Sequence, residues 1–191
     1  MLAEGAISSA LDSVCTSIAA FGGPGVVAVV DAIGRENEGG HRPCDLTGLP
    51  AVGVISELSN DDDLRCIVLR GAGGKAFAPG NDIAEFETER SNFAQGKAYG
   101  AILHDALGAI ADCRHPTVAL IEGICVGGGL EIAALCDLRI CGEGSRFGVP
   151  INKLGLVMAH AEMAALVQLA GRAGALELLL EGRILGAREA L

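Results

Sequence analysis

One carboxylate and two glycine-rich turns are the features of this 191-residue chain that could do chemistry. The first turn, Gly71-Ala72-Gly73-Gly74, ends an apolar run. The second, Val126-Gly127-Gly128-Gly129, leads into Leu130-Glu131-Ile132-Ala133-Ala134-Leu135. Backbone N–H groups at a helix start have no intrahelical acceptor and point outward beside the positive end of the helix dipole. Two of them converging from separate strands can hold a negatively charged oxygen. The same glycines would also let a helix pack closely on a sheet, and pattern alone leaves both readings open. Glu131 is equally double-edged. A carboxylate in an otherwise apolar helix start is costly unless paired or used, and burial would raise its pKa into a range suited to proton transfer. Alternatively it is a first-turn glutamate favoured by the free N–H groups around it.

Other chemistries lack their residues. Neither turn has the Gly-x-Gly-x-x-Gly spacing of a dinucleotide site or the Lys-Ser/Thr ending of a P-loop, and Gly-x-Ser-x-Gly is absent. The four histidines are scattered, so no metal site is indicated.

The elements that must position these groups read as strand, glycine turn and helix in recurring order. Buried strands are predicted over 64–70, 117–121 and 138–141, with a shorter one over 26–30. A helix is predicted over 93–111 with Ile102, Leu103, Ala106, Leu107 and Ile110 on its apolar face. A helix over 52–58 is weaker, and 35–49 reads as loop. Further helices fall over 161–170 and 173–180, punctuated by Gly171 and Gly182. The pattern predicts an α/β protein.

Composition narrows the partners. Fourteen basic against 24 acidic side chains give a formal charge of −10, which argues against nucleic acid. Cysteines at 15, 44, 66, 113, 125, 136 and 141 are odd in number, lack a CxxC pair and sit mostly in apolar runs. Free buried thiols in a reducing, cytoplasmic setting are expected. The sequence suggests no signal peptide, and no run of transmembrane length, so no membrane partner is expected.

Three segments together resemble the crotonase, or enoyl-CoA hydratase/isomerase, superfamily. Lys75-Ala76-Phe77-Ala78-Pro79-Gly80-Asn81-Asp82-Ile83 is similar to its first signature. Ile121-Glu122-Gly123-Ile124-Cys125-Val126-Gly127-Gly128-Gly129-Leu130-Glu131-Ile132-Ala133, continuing to Cys136-Asp137, is similar to the second. Phe147-Gly148-Val149-Pro150 with Lys153-Leu154-Gly155 is similar to the third. The resemblance covers roughly 50–191. It implies a crotonase-like ββα superhelix and an acyl-CoA thioester as substrate. Coenzyme A would be part of that substrate, with no prosthetic group, and the assembly would be a homotrimer or a hexamer built as a dimer of trimers.

By the same resemblance the N–H groups of Asn81 and Gly128 would form an oxyanion hole and Glu131 would be the acid/base. Lys75, Ala76, Phe77, Ala78 and Gly80 would lie along coenzyme A. Ile83, Gly127, Pro150 and Ile151 would border the acyl pocket, and Asp82 would be structural. Hydratases of the family carry a second catalytic glutamate directly after the proline of the third signature; here that residue is Ile151. Hydration needs one group to activate water and another to handle the proton. Glu131 alone would suffice for a double-bond isomerisation. Otherwise His104, His160 or Glu85 enters the site, the reaction is a different one such as decarboxylation or thioester hydrolysis, or the chain only binds CoA.

The expected domain is a core over 1–182, with 1–50, including His41-Arg42-Pro43, matching the family poorly. Residues 183–191 are expected to begin the family's C-terminal helical segment, most of which is missing.

Overall fold

The computed structural model describes residues 26–33, 36–37, 40–41, 51–71, 75–81, 83 and 86–191. The expectations for Asp82, Glu85, Cys15, Cys44 and the turn at 72–74 fall outside the described residues.

The apolar runs become the parallel sheet that such continuous hydrophobicity requires, because parallel strands are covered on both faces. Strands β1 (Val26–Ile33), β4 (Leu64–Gly71), β6 (Thr117–Ile121) and β8 (Leu138–Cys141) lie in the order β1-β4-β6-β8, every pair parallel. β2 (Glu36–Asn37) and β3 (Gly40–His41) form a short antiparallel pair inside the stretch expected to be loop. A second sheet runs β10-β9-β7-β5, from Ile184–Gly186, Arg146–Gly148, Ile124–Val126 and Ala76–Ala78.

Helices alternate with these strands. α1 (Ala51–Ser59) precedes β4; α2 (Phe86–Glu89) and α3 (Phe93–Ala111) come after β5. α4 (Gly128–Leu135) comes after β7, and α5 (His160–Leu176) after β9 through a 3-10 turn at Ile151–Leu154. A ββα unit therefore recurs three times: β4-β5-α3, β6-β7-α4 and β8-β9-α5. In each unit the first strand joins one sheet and the second strand the other. This is the expected ββα superhelix.

Alternation along β4 shows how both faces are filled. Ile67 and Leu69 enter the main core with Phe77, Leu103, Ile121 and Ile132, while Cys66 and Val68 pack on Val118 and Leu120 in a smaller cluster. Each such side chain contributes about 1.5–3 kcal/mol by leaving water. Asp137 clasps β6 to β8: its carboxylate accepts from Thr117 N (2.7 Å) and Oγ1 (2.9 Å), and its own N–H donates to Thr117 Oγ1 (3.0 Å).

Several expectations are corrected. α3 starts where Asn92 accepts from Gln95 N, but its buried face is Tyr99, Leu103, Ala106, Leu107 and Ile110; Ile102 is 45% exposed. Residues 184–186 pair antiparallel with β9, so 183–191 opens with a strand where a helical segment is expected. The free edge of β9 offers backbone groups that this stretch satisfies, a non-local demand without local periodicity. The helical stretch His160–Glu181 is, by length and composition, long and apolar enough to cross a membrane, where the sequence suggests no such run. It is broken at Gly171 (φ 69°, ψ 168°), ends in a π-helical turn over Glu177–Glu181, and buries Ala165, Leu166, Ala175 and Leu178 against the protein.

Candidate active site

β5 and β7 run parallel and side by side, with Ala76 opposite Ile124 and Ala78 opposite Cys125, so their ends reach the same edge of the sheet. The turn after each strand is dictated by how close the chains come. Gly80 has φ +102°, and a Cβ there would lie 3.2 Å from Val126 O, 3.7 Å from Gly128 N and 3.8 Å from Gly127 Cα. The turn that carries Asn81 thus touches the turn that opens α4. Gly129 allows the helix itself to close in, since a Cβ there would fall 2.3 Å from Ala78 O. At Gly127–Gly129 the two readings are compatible, since close packing brings α4 onto β5; the turn that meets it is Gly80–Asn81, not the Gly71–Gly74 turn singled out by its glycines.

Gly127 caps α4 with φ 57° and ψ −127°, and its N–H donates to Gly148 O at 2.8 Å, tying the turn to β9 and hence to Pro150 and Ile151. Gly128 is the first residue of α4, so its N–H has no acceptor within the helix. Asn81 Oδ1 is buried and has no hydrogen-bond partner.

Glu131 sits in the first turn of α4, its N–H donating to Gly127 O at 3.1 Å. Only 8% of the residue is exposed. Burial, reinforced by the negative charge of Glu162 and opposed by Arg90, pushes its carboxyl up to about 8. Near neutral pH it therefore holds its proton and stands ready to exchange it. Arg90 comes directly after α2, with its guanidinium 4.5 Å from the Phe86 ring centroid and 3.4 Å from that of Tyr99. Such stacking holds a cation in place, yet Arg90 Nε is buried without a partner.

The remaining residues singled out from the sequence divide. Gly80, Asn81, Gly127, Gly128 and Glu131 stand together around the paired turns, and the Gly127–Gly148 bond brings β9, with Pro150 and Ile151 beyond it, to their edge. Ile151, the first residue of the 3-10 turn, is half-buried and packs on the main core, an apolar wall with no proton to give. Phe77 and Ala78 are fully buried, which leaves the backbone of β5, rather than their side chains, to face a ligand. Lys75 is exposed, Ala76 half-buried, and Ile83 is 55% exposed. His104 lines a cleft between α1 and α3 with Ser56, Ser59 and Asp105, and His160 is exposed at the start of α5. A second cleft, lined by Leu130, Phe147, Leu166 and Leu185 among others, does not include Glu131 either. Sequence reasoning passes over Arg90 and Glu162. Arg90 looks like one charge among Glu87, Glu89 and itself, and nothing local marks either residue as a charge that acts on Glu131.

Among the described residues no cluster of three or more His, Cys, Asp or Glu side chains could hold a metal ion. Cys66 is buried, Cys125 and Cys136 are buried free thiols, and Cys113 and Cys141 are half-buried and free.

The chain is similar to known proteins in sequence and in fold. The family profile described as enoyl-CoA hydratase/isomerase matches residues 51–191. The short-chain-enoyl-CoA hydratase of Clostridium acetobutylicum is 33% identical over 138 residues, covering 72% of this chain and 52% of that protein. A mitochondrial Delta(3,5)-Delta(2,4)-dienoyl-CoA isomerase of Dictyostelium discoideum is 30% identical over 147 residues, 73% of this chain and 50% of its own length. A crystal structure of an enoyl-CoA hydratase/carnithine racemase from Magnetospirillum magneticum superposes with a TM-score of 0.72 at 49% identity, covering 73% of this chain and 52% of that one. The chain spans about half the length of the curated relatives it matches.

Proposed function

Because the chain belongs to the enoyl-CoA hydratase/isomerase family of the crotonase superfamily, we propose that it acts on an acyl-CoA thioester through an enolate, with enoyl-CoA hydration as the reaction. The thioester oxygen is held by the N–H groups of Asn81 and Gly128. As a nucleophile adds at Cβ, or a proton leaves a carbon next to the carbonyl, electrons move onto that oxygen. Two fixed N–H donors oppose the developing charge, each worth about 10²–10³-fold in rate. Glu131 exchanges the proton. The observation that carries this reading is the meeting of the Gly80–Asn81 and Gly127–Gly128 turns beside a buried Glu131.

Coenzyme A enters as part of the substrate, with Lys75, Ala76 and Gly80 along its path and the backbone of Phe77 and Ala78 beside it. Ile83, Gly127, Pro150 and Ile151 border the acyl group. The free thiols support a cytoplasmic setting, and the family resemblance supports a homotrimer or paired trimers.

Ile151 favours one second reading. With an apolar side chain at the expected place of the second carboxylate, a double-bond isomerisation needs only Glu131, which takes a proton from one carbon and returns it to another. Turnover of crotonyl-CoA (hydration) and 3-butenoyl-CoA (isomerisation) by wild type and Glu131→Gln tests both. Loss of a positioned acid/base costs about 10²–10⁴-fold. Wild-type turnover with a drop of that size supports the proposal; no turnover of either thioester, or a Gln variant as fast as wild type, overturns it.

A further inference from the structure

The third ββα unit turns after Ile151 and leads to the helix that packs on α4. Leu156 N donates to Ile151 O at 3.2 Å, and α5 then begins at His160 and packs on α4, the helix that carries Glu131. Glu162 lies in the first turn of α5. Residues three and four further along a helix share a face, and here they are the buried Ala165 and Leu166. Glu162 therefore continues the inward stripe of α5 and is itself half-buried. Its orientation is fixed, because Ala159 N–H donates to its Oε2 at 2.9 Å, leaving Oε1 outside that bond. The charge of Glu162 reaches Glu131, and both carboxyls reach Arg90, whose stacked guanidinium has a buried Nε with no partner.

We propose that Glu162 is the second acid/base carboxylate of this site, supplied from the first turn of α5 in place of the residue after Pro150, with Arg90 as the cation that serves both carboxyls. This rests on the acyl-CoA reading above. In hydration, Glu162 takes a proton from water as the water oxygen bonds to Cβ. The Cα–Cβ π electrons move onto the thioester oxygen at Asn81 and Gly128. The enolate then collapses and Cα takes the proton of Glu131. Water has been added across the double bond; Glu162 now holds the proton and Glu131 none, and transfer of that proton from Glu162 to Glu131 through solvent restores the starting state. The positive charge of Arg90 favours the charged form of either carboxyl.

The test compares wild type, Glu162→Gln, Glu162→Asp and Glu131→Gln for crotonyl-CoA hydration and 3-butenoyl-CoA isomerisation. Gln at 162 keeps an acceptor for Ala159 N–H, so the helix start and the melting temperature should hold. The expected result is a fall in kcat for hydration of about a hundredfold or more in Glu162→Gln, with KM changed far less and partial recovery in Glu162→Asp. Isomerisation, which one carboxylate can carry, falls by a smaller factor, so the ratio of hydration to isomerisation drops. Glu131→Gln loses both. Equal loss of both reactions in Glu162→Gln, or hydration within threefold of wild type, overturns the proposal and leaves the acyl-CoA reading standing. Isomerisation without hydration in wild type also overturns it. Wild type inactive on both thioesters overturns the acyl-CoA reading, and this proposal with it.

Discussion

Replacing Glu131 by Gln should make the protein more stable at alkaline pH, although it removes a charge and adds no contact. The reasoning is linkage. A free glutamate titrates near its ordinary 4.5, whereas burial pushes Glu131 up to about 8 in the folded chain. Below 4.5 the carboxyl is protonated in both states and contributes no pH dependence. Between 4.5 and 8 the folded state keeps a proton that the unfolded state has released, so stability falls as pH rises; above about 8 the loss is complete. At about 1.36 kcal/mol per pH unit the full penalty approaches 5 kcal/mol, an upper figure because water and side chains relax around a buried charge. Glutamine has the same shape and no charge. Urea denaturation of both proteins from pH 5 to pH 9 measures the difference. The two should lie close together at pH 5 and diverge steadily, the Gln variant ahead by several kcal/mol at pH 9 with an unchanged m-value. Curves that stay parallel across that range would refute the claim that Glu131 is buried as a proton-holding acid.

The same geometry sets three further outcomes. Gly129→Ala places a Cβ 2.3 Å from Ala78 O, backbone that cannot step aside, so α4 must move off β5; melting should show a loss of about 1–3 kcal/mol or more, with activity falling further as the paired turns separate. Arg90→Met keeps much of the stacking bulk but removes the charge that holds the Glu131 carboxyl down, so the Glu131-dependent limb of the pH–rate profile should move to higher pH. Burial raises the thiol pKa of Cys125 and Cys136, so both should resist iodoacetamide at pH 8 in the native protein and react on unfolding, as mass spectrometry of the labelled chain would show.

What the sequence makes legible is set by range. The helix at Phe93–Ala111 and the strands at Thr117–Ile121 and Leu138–Cys141 end where their apolar patterns end, because caps, glycines and prolines nearby define them. The turn at Gly127 and the short helix after it are legible for the same reason. The exact face of α3 is not: Tyr99 is buried and Ile102 exposed because the helix rotates to meet α4 and α1, which composition does not report. The strand at Ile184–Gly186 forms because β9 has an open edge far away in sequence. Arg90 and Glu162 reach Glu131 only through the stacking of successive ββα units, and each has surroundings in the sequence that suit an ordinary surface charge. Local chemistry thus points to one carboxylate and the turn at Gly127–Gly129; the Gly80–Asn81 turn is marked by the family resemblance rather than by its glycines, and the rest of the site is tertiary.

The most direct measurement is turnover of crotonyl-CoA and 3-butenoyl-CoA by wild type and by Glu131→Gln, monitored through the absorbance of the conjugated thioester. Enolate chemistry at the paired turns predicts turnover by wild type and a loss of about 10²–10⁴-fold in the variant at matched folding. No wild-type turnover of either thioester, or turnover that survives the loss of the Glu131 carboxyl, would contradict it.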